Sequence, residues 1–194
     1  MRRVGAPDEN ALSSPKLSPN ERQVAVHRTV QGNADIWLLD AVRTTRFTFD
    51  PSLDRFPIWS PDSSRIVFDS NRKGQRDLYP KPSNGAGSEE LLLESPQNKA
   101  AIDWSADGRF LLYFVVNPKT SFDLWALPLE GDRPSTRSGR PEPAEGRKPF
   151  VFLNSSFEEN LGQFSPDGRW VAYVSNESGR YEIYVRPFPK SGGQ

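Results

Sequence analysis

The feature that most constrains the fold of this 194-residue chain is a pattern that occurs four times along its length. Each copy contains an apolar or aromatic residue, a turn of the Ser-Pro-Asp-Gly type, a short strand, and an acidic residue that opens a second strand. The turn serines are Ser18, Ser60, Ser105 and Ser165, which lie 42, 45 and 60 residues apart. Self-similarity at such a period predicts an array of similar small structural units.

The strand after each turn has apolar residues at every second position, as at Ile66 and Phe68, so that one face can pack on a neighbouring unit. Polar turns typical of hairpins follow these strands. A further strand is predicted at residues 44–49, 90–93 and 149–153, which would complete four antiparallel strands. The predicted fold is therefore all-β: a β-propeller with about four blades of four-stranded antiparallel sheet, part of a larger propeller of about six to eight blades.

The predicted repeats span approximately residues 11–50, 55–94, 100–153 and 160–189. The third repeat contains an insertion at residues 131–147 that is rich in Pro, Gly, Ser and Arg, which predicts a long mobile hairpin loop. No outer strand is predicted after the fourth repeat. We therefore expect an incomplete propeller, which associates with missing blades or with itself.

Each turn is encoded by its own residues. Proline after serine presets the backbone of a type I turn, aspartate accepts hydrogen bonds from the amides that follow, and glycine adopts the left-handed conformation. Departures from the pattern are Asn20-Glu21 for Asp-Gly, Ser63 for Gly and Ala106 for Pro, and they leave the predicted fold unchanged. The residues assigned to this structural role are Ser60, Pro61, Asp62, Ser105, Asp107, Gly108, Ser165, Pro166, Asp167 and Gly168.

Composition excludes several classes of function. Lys plus Arg and Asp plus Glu both number 25, so the formal charge is zero and no nucleic-acid partner is predicted. The absence of cysteine excludes disulfides and thiolate metal sites. No stretch approaches the ~20 apolar residues of a membrane span, and Met1–Asn10 lacks the apolar core of a signal peptide. We therefore expect no direct membrane insertion and no export signal in this chain.

The sequence also lacks the residues of a catalytic centre. His27 is the only histidine and lies in an alternating strand, which favours neither a Ser-His-Asp triad nor a histidine-based metal centre. Gly85–Ser88 is too short for the phosphate loop of a kinase. The repeated acids Asp62, Asp107 and Asp167 lie one blade apart, so we interpret them as turn caps. The chain itself is predicted to be no enzyme, with no catalytic residue, metal or cofactor.

The four units resemble the repeats of TolB-like propellers of bacteria, which carry Trp-Ser-Pro-Asp-Gly, a short apolar strand and an Asp/Glu-Ile-Tyr strand. The strongest similarity, at Phe164–Tyr173 and Tyr184–Pro189, is to the propellers C-terminal to bacterial receptor-type serine/threonine protein kinases. The same similarity is found at Asp35–Asp40 and Arg46–Asp50. This resemblance implies a periplasmic or extracytoplasmic propeller that senses or binds a ligand.

Candidate binding residues lie where one blade leads into the next, because propeller ligands usually approach the mouth of the central channel, where these connections converge. These connections are the predicted loops 50–57, 94–100 and 154–161, and the candidate residues lie in the first and the third. Their mixture of charged and aromatic residues is typical of protein recognition. The predicted partner is a protein or peptide, or a small ligand at the channel mouth. The candidate residues are Asp54, Arg55, Phe56, Glu158, Glu159 and Asn160.

Three functions are compatible with these features. The first is a non-catalytic interaction or sensor propeller of a larger bacterial protein, such as a serine/threonine kinase or a TolB-like periplasmic protein. The second is the propeller of a prolyl-oligopeptidase-like serine hydrolase, whose separate catalytic domain would carry Gly-x-Ser-x-Gly. The third is a stand-alone propeller enzyme, which would need convergent carboxylates or a metal.

Overall fold

β-Strands make up the regular structure of residues 10–129 and 148–188, the two ranges that the computed structural model describes. The predicted mobile loop at 131–147 lies outside these ranges. The described residues contain fourteen strands and no helix, and so no helix that could span a membrane. The strands are β1 (Ala11–Leu17), β2 (Val24–Val30), β3 (Asn33–Leu39), β4 (Thr44–Arg46), β5 (Asp54–Trp59), β6 (Arg65–Lys73), β7 (Gln75–Pro82), β8 (Lys99–Trp104), β9 (Phe110–Asn117), β10 (Ser121–Pro128), β11 (Phe150–Leu153), β12 (Glu159–Phe164), β13 (Trp170–Ser175) and β14 (Glu182–Pro187).

The strands form four sheets, one for each repeat, and we number these sheets as blades 1 to 4. Blade 1 is β1-β2-β3-β4, blade 2 is β5-β6-β7, blade 3 is β8-β9-β10-β11, and blade 4 is β12-β13-β14. Their strand pairs are antiparallel. The predicted fold class, an all-β partial propeller, is confirmed.

The chain divides into two compact units, Met1–Ala101 and Ile102–Gln194. The first unit contains blades 1 and 2. Its core joins Ala25, Ile36, Leu38 and Phe47 of blade 1 to Trp59, Ile66, Phe68 and Tyr79 of blade 2. The second unit contains blade 4 and most of blade 3. Its core joins Phe110, Leu112, Leu124, Ala126, Phe152 and Leu153 of blade 3 to Phe164, Val171, Tyr173 and Phe188 of blade 4.

Both cores follow one packing rule. The later blade contributes the residue before its turn serine together with alternate residues of its second strand, such as Trp59, Ile66 and Phe68. The earlier blade contributes residues from the other face of its sheet, such as Leu112 and Leu124. This is the result expected when strands with a two-residue period have one face against each neighbouring sheet.

The predicted outer strand of blade 2 at 90–93 is not a strand. The segment forms only an isolated bridge, in which the Leu92 amide donates to the Leu78 carbonyl at 2.8 Å. The backbone groups of alternate β7 residues point toward the 90–93 segment. The next two such residues after Leu78 are Pro80 and Pro82, which have no backbone N–H. The ladder therefore ends after one bridge, and blade 2 has three strands in the described residues.

The turn residues are held by side-chain hydrogen bonds within each turn. Ser60 Oγ donates to Asp62 Oδ1 at 2.5 Å and accepts from the Arg65 amide at 2.9 Å. The same two bonds form at Ser105 and Ser165. The closing residue has a left-handed backbone in all four turns, whether it is glycine or not. These residues are Glu21 (φ 58°), Ser63 (φ 61°), Gly108 (φ 76°) and Gly168 (φ 66°).

Candidate functional site

The first strands of blades 1, 2 and 4 each contain a bulge with a left-handed residue at its centre. The residues are Ser14 (φ 53°), Phe56 (φ 50°) and Leu161 (φ 52°), each four positions before its turn serine. The register with the second strand shifts at each of these points. A bulge redirects a side chain, and strained bulky residues in this backbone region are uncommon outside functional or turn positions. The bulge is the first indication of where a ligand could bind.

Five of the six candidate binding residues fall on these bulged strands rather than in loops. Asp54, Arg55 and Phe56 belong to β5, and Glu159 and Asn160 belong to β12, with Glu158 directly before it. The two groups occupy equivalent positions of the repeat: Asp54 pairs with Ser70 as Glu159 pairs with Ser175.

Asp54 and Glu159 are buried, and so they are not placed to contact a partner. Asp54 forms an ion pair with Arg72 at 3.2 Å, and Glu159 accepts a hydrogen bond from Ser155. Burial raises the pKa of both carboxyls above their ordinary values, although the neighbouring hydroxyl groups oppose the shift. These two acids therefore stabilise the blades, and the partly exposed Arg55, Phe56, Glu158 and Asn160 stay as candidate contact residues.

A charged network in the first unit fixes the β5 strand. Arg72 on β6 contacts both Asp54 and Glu89, and its guanidinium lies 4.3 Å from the ring centroid of Tyr79. Lys81 contacts Glu89 at 3.1 Å and donates to the Phe47 carbonyl at 2.8 Å. The Lys81–Phe47 hydrogen bond joins blade 2 to blade 1, and the Arg72–Asp54 ion pair holds the start of β5, directly before its bulge.

Phe56 lies on this strand beside His27 of blade 1. The two rings meet edge to face, with centroids 5.6 Å apart and an interplanar angle of 64°. Burial lowers the pKa of His27, and the Arg55 guanidinium lowers it further, so the imidazole is neutral at pH 7. Its Nδ1 has no hydrogen-bond partner among the described residues. An aromatic ring, a neutral imidazole and a guanidinium thus lie together at the edge of blade 2.

Asp69 lies under this group and is fully buried. It pairs across the ladder with Arg55, and its Oδ2 is 3.8 Å from Nη1 of Arg76. Neither carboxyl oxygen has a hydrogen-bond partner within the described part of the chain. Burial therefore raises its pKa to about 8, although Arg76 and Arg55 oppose the shift. Asp69 departs from the repeat, because the equivalent residues of blades 3 and 4 are Phe114 and Val174, and this departure is the sequence signal that could have identified it.

The equivalent position in the second unit has different chemistry. The Glu158 amide donates to Asn176 Oδ1 at 3.0 Å, and the Glu158 carboxylate accepts from Tyr181 at 2.9 Å and from Asn160 at 2.7 Å. Leu161 at the bulge is exposed. Asn160 already bonds to Glu158, and Glu158 bonds to the hairpin between β13 and β14 through Asn176 and Tyr181. This group is therefore the weaker candidate for binding a partner.

No group of three or more His, Asp or Glu side chains in residues 10–129 and 148–188 is arranged to hold a metal ion. Two of the acids that open the third strand of a blade, Asp35 and Asp123, have partners within their own blades instead. Asp35 pairs with Arg46 at 2.9 Å, and Asp123 accepts from Asn117 at 2.7 Å and from Thr120 at 2.6 Å. These acids therefore fasten neighbouring segments of their own blades.

Several known proteins with longer chains are similar to this chain in sequence or in fold. Tricorn protease homolog 1 of Streptomyces coelicolor is 28% identical over 157 residues, which cover 77% of this chain and 14% of the relative. A putative TolB of Agrobacterium tumefaciens superposes with a TM-score of 0.69 at 20% identity, over 94% of this chain and 63% of that one. Prolyl oligopeptidase B of Galerina marginata superposes with a TM-score of 0.60 at 14% identity, over 92% and 28%.

This chain therefore spans less than two thirds of the length of each of these proteins. The two structural similarities, both below 25% identity, indicate a shared propeller fold. The family described as the TolB beta propeller domain matches residues 2–136, which is more than half of the sequence. Together with the four-fold repeat and the four antiparallel sheets, this match shows that the chain belongs to the TolB β-propeller domain family.

Proposed function

We propose that this chain is a non-catalytic propeller module that binds a protein or peptide at the bulged edge of blade 2. The observation that carries the proposal is the left-handed Phe56, which is held beside His27 and Arg55 on a strand fixed by the Arg72 network. Strain of this kind persists only where the surrounding structure imposes it. Aromatic residues and arginine are also the side chains most enriched in interface centres.

Side chains, rather than strand addition, would make the contact. β5 stands at the edge of its sheet, and an unbroken edge strand could accept an extended peptide by backbone pairing. The bulge between Arg55 and Ile58 interrupts the regular row of backbone groups, which is a device that protects edge strands from pairing. The partly exposed Phe56 and Arg55 lie next to each other at this bulge, so a partner at this edge would contact both side chains.

The environment of His27 supports a non-catalytic role. A histidine acting as general base in a triad donates its Nδ1 proton to a buried carboxylate, whereas His27 Nδ1 has no such partner in the described residues. Its lowered pKa keeps the ring neutral, which suits packing against Phe56. In the longer protein, this module would be a sensor or interaction region outside the cytoplasmic membrane, attached to a kinase or acting as a TolB-like protein.

A displayed library of random linear peptides, panned against the purified chain, tests this proposal. We expect enriched peptides that lose roughly tenfold or more in affinity when Phe56→Gly or Arg55→Ala is introduced. Glycine is chosen at position 56 because it keeps the left-handed backbone while removing the ring. Leu161→Gly is the matched control, since it makes the same change at the equivalent position of blade 4. Peptides that bind all three variants equally well would contradict the proposed site.

A second candidate function is the propeller of a serine hydrolase of the prolyl-oligopeptidase type. The structural similarity to prolyl oligopeptidase B and the sequence similarity to a Tricorn protease homolog favour it. Such a propeller would be joined to a separate catalytic domain with a nucleophile elbow. Sequencing the adjoining coding region for Gly-x-Ser-x-Gly, and assaying the encoded protein on peptides with an internal proline, would distinguish this candidate from the first.

A further inference from the structure

We propose that Asn84 is a site of spontaneous chemical modification, at which the side-chain amide is lost and the residue becomes aspartate or isoaspartate. Asn84 lies in the exposed turn after β7, and the residue that follows it is Gly85. It is the only asparagine of the sequence that precedes a glycine. The proposal is independent of the peptide site, because it involves neither Phe56 nor Arg55.

The reaction needs only water and a neighbouring backbone amide. The Gly85 nitrogen loses its proton to hydroxide and forms a bond to Asn84 Cγ, and the bond between Cγ and Nδ2 breaks, so that ammonia leaves and a succinimide ring forms. Water then opens the ring at one of its two carbonyl groups. Opening at Cγ gives aspartate, whereas opening at the backbone carbonyl gives isoaspartate, in which the chain continues through the former side chain.

Gly85 favours this reaction because it has no side chain beside the attacking nitrogen. The turn also leaves space around this residue, since a Cβ built at Gly85 would meet no heavy atom within 4 Å. Asn84 and residues 85–88 are all exposed, so water and hydroxide can reach the turn.

Two hydrogen bonds within the turn oppose the reaction while the chain is folded. The Gly85 amide donates to the Pro82 carbonyl at 3.0 Å, which engages the proton that must leave. The Ala86 amide donates to Asn84 Oδ1 at 2.9 Å, which is the local bond typical of an Asx-turn and fixes the side chain. Both bonds must open before the nitrogen reaches Cγ. Exposed turns open at low cost in free energy, so the opening of this turn sets the rate.

Two other exposed asparagines in the described residues serve as internal controls. Asn20 precedes Glu21, and Asn154 precedes Ser155. In both cases the following residue carries a side chain that crowds its backbone nitrogen, whereas Gly85 does not. Exposure alone therefore does not select Asn84, and the glycine after it makes the difference.

The modification alters a link between two fixed points of blade 2. Ser83 is held by hydrogen bonds from its amide to the Ser64 carbonyl and from its hydroxyl to the Ser63 carbonyl, both at 2.8 Å. Glu89, on the other side of the turn, contacts Lys81 at 3.1 Å. Isoaspartate inserts a methylene group into the backbone between these points, and both products add a negative charge to the exposed turn.

The test is incubation of the purified full chain at mildly alkaline pH, followed by peptide mapping with fragmentation mass spectrometry. We expect aspartate and isoaspartate to accumulate at position 84 with release of ammonia, while Asn20 and Asn154 stay intact over the same period. Labelling by an isoaspartyl methyltransferase detects the isoaspartate independently. The matched variant is Asn84→Gln, which should lose both signals because its longer side chain would have to close a larger ring. Circular dichroism establishes that the chain stays folded during the incubation.

The same incubation in urea measures the effect of the turn. Unfolding removes both hydrogen bonds, and we expect the rate at Asn84 to rise by about tenfold or more. Equal rates in the folded and the unfolded chain would overturn the control by the turn. A chain in which Asn84 stays intact while Asn154 is converted would overturn the site itself, as would an Asn84→Gln chain that accumulates isoaspartate as fast as the unmodified one.

Discussion

Lys99 and Asp77 form an ion pair from which solvent is excluded. The Lys99 ammonium donates to Asp77 Oδ1, and the two side chains are 0% and 2% exposed. Further hydrogen bonds from Lys99 reach the carbonyls of Arg76 and Ser95 at 3.3 and 3.5 Å. Because both charges are buried, each one depends on the other for compensation. Removing either side chain would leave an unpaired buried charge, which is strongly destabilising.

We therefore predict that Lys99→Met lowers the free energy of unfolding by about 3–5 kcal/mol. The double variant Lys99→Met/Asp77→Leu should recover much of this loss, because apolar residues of similar size can replace a buried ion pair. Urea denaturation of the wild type, both single variants and the double variant measures the coupling. A double variant as unstable as the sum of the single variants would show that the pair is not coupled.

The propeller can be predicted from the sequence because its turns are held by hydrogen bonds between residues that are close together in the chain. The hydrogen bonds of Ser105 and Asp107 join residues no more than five positions apart, so the pattern alone predicts them. The burial of Lys99 and Asp54 depends on strands that are distant in the chain. Asp54 was among the candidate contact residues because it lay in the predicted connection 50–57, where a charged residue is ordinarily exposed.

One error could have been avoided from the sequence. Pro80 and Pro82 follow Leu78 at alternate positions of β7, and two prolines on one side of a strand prevent a further strand from pairing there. The strand at 90–93 was predicted from its place before the next repeat, where it would complete the blade. In contrast, the left-handed Phe56 has no sequence signal, because the bulge is imposed by packing rather than by glycine.

Asp69 should make the protein less stable as the pH rises. Its pKa in the folded protein is raised to about 8, mainly by burial, while Arg76 and Arg55 oppose the shift. The nearby Asp54 carboxylate acts in the same direction as burial. A raised folded-state pKa gives stability that is fully present below about pH 4 and is lost as the pH rises through 8.

Asp69→Asn removes this titration and keeps the side-chain volume. The free energy of unfolding of the wild type should fall between pH 5 and pH 8 by up to about 1.4 kcal/mol per pH unit, and that of the variant should fall less. Urea denaturation at several pH values measures both slopes. Identical slopes in the two proteins would mean that Asp69 is ionised throughout.

Asp62, unlike Asp69, should make the protein less stable as the pH falls. The hydrogen bond from the Ser60 hydroxyl, with further bonds from Ser64, holds its pKa at about 2. A lowered folded-state pKa gives stability that is present above about pH 4 and is lost as the pH falls through 2. Asp62→Asn should therefore flatten the decline in unfolding free energy below pH 4, as measured by denaturation at pH 2.5 and pH 5. An unchanged acid-induced loss would exclude Asp62 as its source.

The bulge at Leu161 offers a direct measure of backbone strain. Its φ of 52° places a non-glycine residue in the left-handed region, and its side chain is exposed, so few contacts are lost on truncation. We predict that Leu161→Gly is more stable than Leu161→Ala by about 1 kcal/mol, because only glycine adopts this conformation without steric cost. Thermal unfolding of the two variants makes the comparison. If alanine is equally stable, the bulge is not strained.

Gly162 is required for the close approach of blade 4 to blade 3 within the second unit. A Cβ at this position would lie 2.6 Å from Leu112 Cδ2 and 3.2 Å from Ile102 Cδ1. Leu112 is fully buried, so its side chain cannot move aside, and we predict that Gly162→Ala lowers the free energy of unfolding by about 1–3 kcal/mol. Gln163→Ala, on the exposed neighbour, is the control. Adding Leu112→Val, which removes the obstructing methyl, should make the double variant more stable than the sum of the two changes predicts. Strict additivity in urea denaturation would show that the packing at Gly162 tolerates a methyl group.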